Sequence, residues 1–134
     1  MKNYNTAYLL ARITIGMSMF CHGFIRLTKL SAFSAGMVAG YEKSLLPVSL
    51  VTPFSLALPF LEFVIGVCLL MGLFTRAALI AGVFLMLVLI FGTGILEHWD
   101  TIPSQLIHAA WFIVLLLFIE YNTWCADKLI SKAK

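Results

Sequence analysis

Glu62, His22 and His108 are the residues of this chain best placed to do chemistry, because each stands inside an otherwise apolar stretch. A charge in a bilayer costs at least about 2.5–3.5 kcal/mol on insertion scales, so it persists where it is paired or where it works. A carboxylate and an imidazole at similar depth can exchange protons or hydrogen-bond a ligand, which makes Glu62 and His22 the candidate catalytic pair. Arg12 and Arg26 would orient such a site or stabilise negative charge, and Gln105 and His108 would line it as ligand-binding groups. The alternative is structural: Glu62 pairs with an arginine, and the histidines cap helix ends near the interface. Two histidines and a carboxylate also form a metal-ligand set. No tight spacing such as HxxxH accompanies them, so no metal site is assigned.

These side chains need elements to carry them. Hydrophobic residues make up 62% of the 134 residues and charged residues 11%, against roughly half and a quarter in soluble domains. No soluble core of this length hides that much apolar surface, so lipid must solvate much of it. A bilayer admits only helices or closed barrels. Barrel strands alternate polar and apolar residues, whereas the apolar runs here are unbroken. The expected fold is therefore all-α: one domain, an integral membrane four-helix bundle with spans at about 6–27, 53–73, 77–94 and 103–121. Each is close to the roughly 20 residues that a span needs. The first run is long and contains Arg12, which reads as a retained span and not a cleaved leader. Pro53 and Pro103 fit first helical turns, and Thr75-Arg76 reads as a tight turn between antiparallel helices. Phe33, Met37 and Tyr41, at helical spacing, suggest a short interfacial helix between spans one and two. Gly36 and Gly40 beside them read as a pliable segment.

The spans are not equivalent. In the first, Arg12, Gly16, Met19, Gly23 and Arg26 share one stripe, bordered by Ser18 and His22. In the second, Ser55, Glu62 and Gly66 share a face. In the fourth, Ser104, His108, Leu115 and Asn122 lie on one side, with Gln105 close by. The third is apolar from Ala77 to Phe91 and reads as scaffold. With a rise of 1.5 Å per residue, Glu62 lies about 13 Å into its span, and His22 and His108 about 8 and 7 Å below the outer ends of theirs. The three would meet in the outer half of the bundle. Arg12 would lie deeper, within reach of Glu62 or of Glu120. Such a pocket suits a quinone, with an apolar ring and tail and carbonyl oxygens that need donors.

Charge gives an orientation. Lys2, Arg76, Lys128, Lys132 and Lys134 fall on the side of both termini, and the loop between spans three and four has no Lys or Arg. The positive-inside rule then places both termini in the cytoplasm of a bacterial inner membrane. The net charge of +3 carries topology and no nucleic-acid footprint. Cys21, Cys68 and Cys125 form no CxxC pair, which disfavours a dithiol relay.

Two motifs carry a family resemblance. Arg12 and Gly16 followed by His22-Gly23-Phe24-Ile25-Arg26-Leu27 form one. Pro59-Phe60-Leu61-Glu62, Gly66 and then Leu70-Met71-Gly72-Leu73-Phe74-Thr75-Arg76-Ala77-Ala78 form the other. Together they resemble the signatures of the DoxX family, over nearly the whole chain. The resemblance implies a four-helix bacterial membrane protein linked to redox chemistry, with quinone as the expected cofactor and a protein partner or homo-oligomer in the lipid. The leading expectation is a redox-linked subunit that binds a quinone or similar apolar ligand. The alternative is a non-enzymatic accessory or assembly factor for another protein. A small transporter is less favoured, since no half-span repeat is evident.

Overall fold

The computed structural model describes residues 2–132; Lys134, counted above for topology, lies outside them. The described residues form α1 (Lys2–Thr28), α2 (Leu30–Tyr41), α3 (Val48–Met71), α4 (Thr75–Ile95), α5 (Ile102–Leu117), a 3-10 turn (Ile119–Tyr121) and α6 (Ala126–Lys132), with no strand. α1, α3 and α4 are long and apolar enough to cross a membrane. Large apolar side chains cover their outer faces, among them Leu10, Met17, Phe60, Val64, Phe84 and Leu87. In water such a surface would aggregate; in a bilayer it is the solvated face.

The dominant contact joins α1 to α3, and glycines make it possible. A Cβ on Gly23 would strike the backbone of Phe63, and one on Gly66 the backbone of Phe20. A Cβ on Gly16 would press Leu69 and Leu70 at 3.0–3.3 Å. Small residues let membrane helices approach until their backbones touch. These contacts run 23 to 63, 20 to 66 and 16 to 69, so the two helices are antiparallel. The first turns of α3 therefore project past the end of α1, and α2 packs beside them. There Ser55 donates to the Thr52 carbonyl at 2.7 Å, which leaves the Ser34 hydroxyl to donate to Ser55 at 2.6 Å. α4 and α5 form a second pair, with the fully buried Phe112 ring seated against Gly82.

Two boundaries differ from the sequence reading. α3 starts at Val48, which puts Pro53 inside the helix instead of in its first turn. The apolar contacts of α2 with this end of α3 offset the hydrogen bond that proline removes. The turn after α3 is Gly72–Phe74, and Thr75 already belongs to α4. Gly72 is left-handed (φ 66°), and Leu73 N–H returns to the Cys68 carbonyl at 2.9 Å, a Schellman ending. Phe74 is also left-handed (φ 48°), a conformation that side chains other than glycine rarely adopt. Asp127 holds it there. One carboxylate oxygen accepts from Phe74 N–H at 2.6 Å and the other from Thr75 N–H at 2.9 Å. The carboxylate thus caps the start of α4, where the helix dipole also favours it. Asp127→Ala is expected to cost about 0.5–2 kcal/mol, read as a lower midpoint of thermal unfolding in detergent. An unchanged midpoint would show that the cap contributes nothing.

Candidate functional site

Five helices place polar groups around one cavity of about 210 Å³. On α1, Met19, His22 and Arg26 recur at steps of three and four and share a face. Leu58 and Glu62 face them from α3, Thr93 from α4, and Ser104, Gln105 and His108 from α5. Phe33, Met37 and Tyr41 close the cavity from α2, so the apolar stripe of that short helix is turned inward.

The strongest interaction is the ion pair between Arg26 and Glu62, with Nη1 and Oε1 2.5 Å apart. The Glu62 side chain is 4% exposed and that of Arg26 29%. The guanidinium also lies over the Phe33 ring, 4.9 Å from its centroid, a cation–π contact. Removing Arg26 would leave the Glu62 charge buried and alone, which costs more than the pair contributes.

The histidine tautomers follow from their partners. His22 Nδ1 is 2.8 Å from the Ser18 carbonyl and His108 Nδ1 2.8 Å from the Ser104 carbonyl. A carbonyl only accepts, so both Nδ1 atoms carry hydrogen. In the neutral ring, His108 Nε2 then accepts from the Ser18 hydroxyl at 2.9 Å. His22 Nε2 keeps an uncommitted lone pair. The two rings meet edge to face, with centroids 6.0 Å apart. Gln105 donates from Nε2 to Thr93 Oγ1 at 2.8 Å. Two buried oxygens of the cavity lining have no partner among the described residues: Glu62 Oε2 and Gln105 Oε1. The cavity can therefore accept hydrogen bonds and, at His22 Nε2, a proton. No cysteine lines it. Among the described residues no cluster of three or more His, Cys, Asp or Glu residues has metal-binding geometry.

Of the residues singled out from sequence, His22, Arg26, Glu62, Gln105 and His108 line this cavity and Arg12 does not. Arg12 lies about 21 Å along α1 from Arg26, at 1.5 Å per residue. It reaches neither Glu62 nor Glu120. Its Nη1 donates to Asn122 Oδ1 at 3.0 Å and its Nη2 to the Trp124 carbonyl at 2.9 Å. Arg12 therefore fastens the C-terminal segment and stands apart from this cavity. Thr93 is a cavity residue that the sequence alone did not single out, and Tyr41 one that its spacing placed on an interfacial helix. Thr93 follows the apolar run of α4 by two positions, inside the span that its apolar residues marked as scaffold.

Fold and site together define a helical membrane protein with a polar cavity, its carboxylate paired with a guanidinium, at one end of its helices. Residues 4–104 match the family described as methylamine utilisation protein MauE, and the chain belongs to that family. No curated protein and no solved structure matches it. The resemblance to the DoxX family is thereby overturned. The reason is visible in the structure. The glycines of the two motifs serve the close approach of α1 to α3, and Gly72 serves the Schellman turn. Closely packed membrane helices and tight helix endings commonly use such residues, so they do not discriminate between families.

Proposed function

We propose that this protein is a membrane-embedded accessory factor of a methylamine-utilisation system, supporting another protein of that system instead of turning over substrate itself. The family match over residues 4–104 carries this reading, since it spans α1 to α4 and includes both Arg26 and Glu62. The chemistry of the cavity is in keeping with it. Its carboxylate is already engaged by a guanidinium, and no cysteine faces it. The redox-linked subunit reading loses its support along with the DoxX resemblance.

In this proposal the chain crosses a bacterial inner membrane four times. α5 has 16 residues, and with the 3-10 turn that follows it reaches about 30 Å, enough for the fourth crossing. Both termini lie in the cytoplasm with Lys2, Arg76 and the C-terminal lysines. The partner is a protein of the same system, met through the lipid-facing or loop surfaces.

Deleting the gene from its host is expected to abolish growth on methylamine while growth on ammonium and an unrelated carbon source continues. Methylamine-consuming activity should fall while its transcripts do not. Unimpaired growth on methylamine would exclude the accessory role, as would turnover of methylamine by the purified chain alone.

A further inference from the structure

Beside the polar cavity lies an apolar groove of about 260 Å³, lined by Leu46, Leu50, Phe54 and Val88. The two spaces adjoin at Met37, Tyr41 and Leu89, which line both. Their combined size falls within the range of small-molecule sites, about 300–1,000 Å³. The groove opens between the end of α2, the start of α3 and the end of α4, on flanks rich in exposed apolar side chains.

The polar end shows what kind of head group fits. Glu62 is 3% exposed, and its Oε2 has no partner among the described residues; the same holds for Gln105 Oε1. Both atoms accept hydrogen bonds and neither donates. An unpaired buried acceptor is unfavourable, so the missing partner is a donor. Arg26 already neutralises Glu62, which favours a neutral donor over a cation. Met19, Leu58 and Met86 add apolar, adaptable walls. Tyr41, at the junction, brings a hydroxyl against α4 where Gly92 leaves room for it.

We propose that the cavity and groove together bind one neutral amphiphile of the bilayer, whose hydroxyl groups donate to Glu62 Oε2 and Gln105 Oε1 and whose apolar chain lies along α2, α3 and α4. A hydroquinone meets this requirement, and so does a lipid with free hydroxyls on its head. An oxidised quinone does not, because its carbonyls only accept. The site is independent of the accessory role and stands or falls without it.

The test uses the full chain in nanodiscs, with empty nanodiscs as the blank for partitioning. It is titrated with decylhydroquinone, the dimethyl ether of decylhydroquinone, decylquinone and a monoacylglycerol. Saturable one-to-one binding is expected for decylhydroquinone, the monoacylglycerol or both. Affinity for decylhydroquinone should exceed that for its ether by about tenfold or more if it is the occupant. Preference for the monoacylglycerol over all three ring compounds would assign the site to a lipid instead. Glu62→Gln places an N–H where Oε2 stands; it should weaken the hydroxyl-bearing ligand and tighten decylquinone. Gln105→Leu should weaken the hydroxyl-bearing ligand alone, and it decides the matter should Glu62→Gln fail to fold. Absence of saturable binding overturns the proposal. So does equal binding of decylhydroquinone and its ether with no preference for the monoacylglycerol, or a preference that neither variant changes.

Discussion

Gly66→Val is expected to push α1 and α3 apart and to destabilise the protein by about 3 kcal/mol or more. The added Cβ would fall on the backbone N and Cα of Phe20, and a backbone atom cannot turn away as a side chain can. Carbon atoms settle about 3.5–4.0 Å apart, so the helix axes must separate by roughly an ångström or more. That gap would run along the largest helix contact of the fold and loosen the buried Met19, Ile65 and Leu69. Better intrinsic helix propensity than glycine returns less than about 1 kcal/mol. Thermal unfolding in detergent measures the loss. Gly36→Ala provides the comparison, because a Cβ there meets nothing within 4 Å. Its expected effect is neutral to stabilising, by up to about 1 kcal/mol. Equal midpoints for Gly66→Val and the unmodified protein would disprove the close α1–α3 contact.

That contact also explains which parts of the molecule were legible in the sequence. Apolar runs mark helices whatever their neighbours are, so the long membrane helices could be read directly. A stripe of glycines among bulky residues marks a face that touches another helix. Neither signal says which helix, or in what register. Arg12 and Arg26 lie on the same stripe of α1, and Glu62 could have met either one. The register is set by the pairing of Gly23 with Phe63 and of Gly66 with Phe20, and it brings Glu62 level with Arg26. α2 illustrates the same limit. The spacing of Phe33, Met37 and Tyr41 defines an apolar face, but a surface helix and a helix closing a cavity share that pattern. The projecting end of α3 gives α2 something to pack against and turns the stripe inward. Family assignment failed for a related reason. The motifs that suggested it consist largely of packing and turn residues, whose physics is common to many helical membrane proteins.

The residue most displaced from its expected role is Arg12, and its replacement tests what it does. Arg12→Met is expected to release the C-terminal segment while leaving the cavity in place. Arg12 is 2% exposed, and its guanidinium reaches Asn122 Oδ1 and the Trp124 carbonyl through separate nitrogens. Asn122 in turn donates from Nδ2 to Thr75 Oγ1 at 3.1 Å, and Asp127 caps α4 from the same segment. The chain from 122 to 127 is thus tied to α1 through Arg12 and to the α3–α4 turn through Asn122 and Asp127. Gly72 belongs to the arrangement, since a Cβ there would strike Arg12 Nη1. Methionine fills much of the volume but donates nothing, so two acceptors lose their partner at about 1–3 kcal/mol each. Relief from burying a charge offsets part of this, which leaves an expected loss of about 2–4 kcal/mol. Lysine cannot replace the arginine, because one ammonium does not reproduce the planar fork that serves both oxygens. Limited proteolysis should cut Arg12→Met between 122 and 127 well before the unmodified protein, and the unfolding midpoint should fall. Binding of hydroxyl-bearing amphiphiles below that midpoint should stay unchanged, because Arg26, which pairs with Glu62 at the polar end of the cavity, lies about 21 Å away along α1. A C-terminal segment equally protected in both proteins would show that Arg12 is not its fastening. Lost amphiphile binding in a still-folded Arg12→Met protein would return Arg12 to the ligand site.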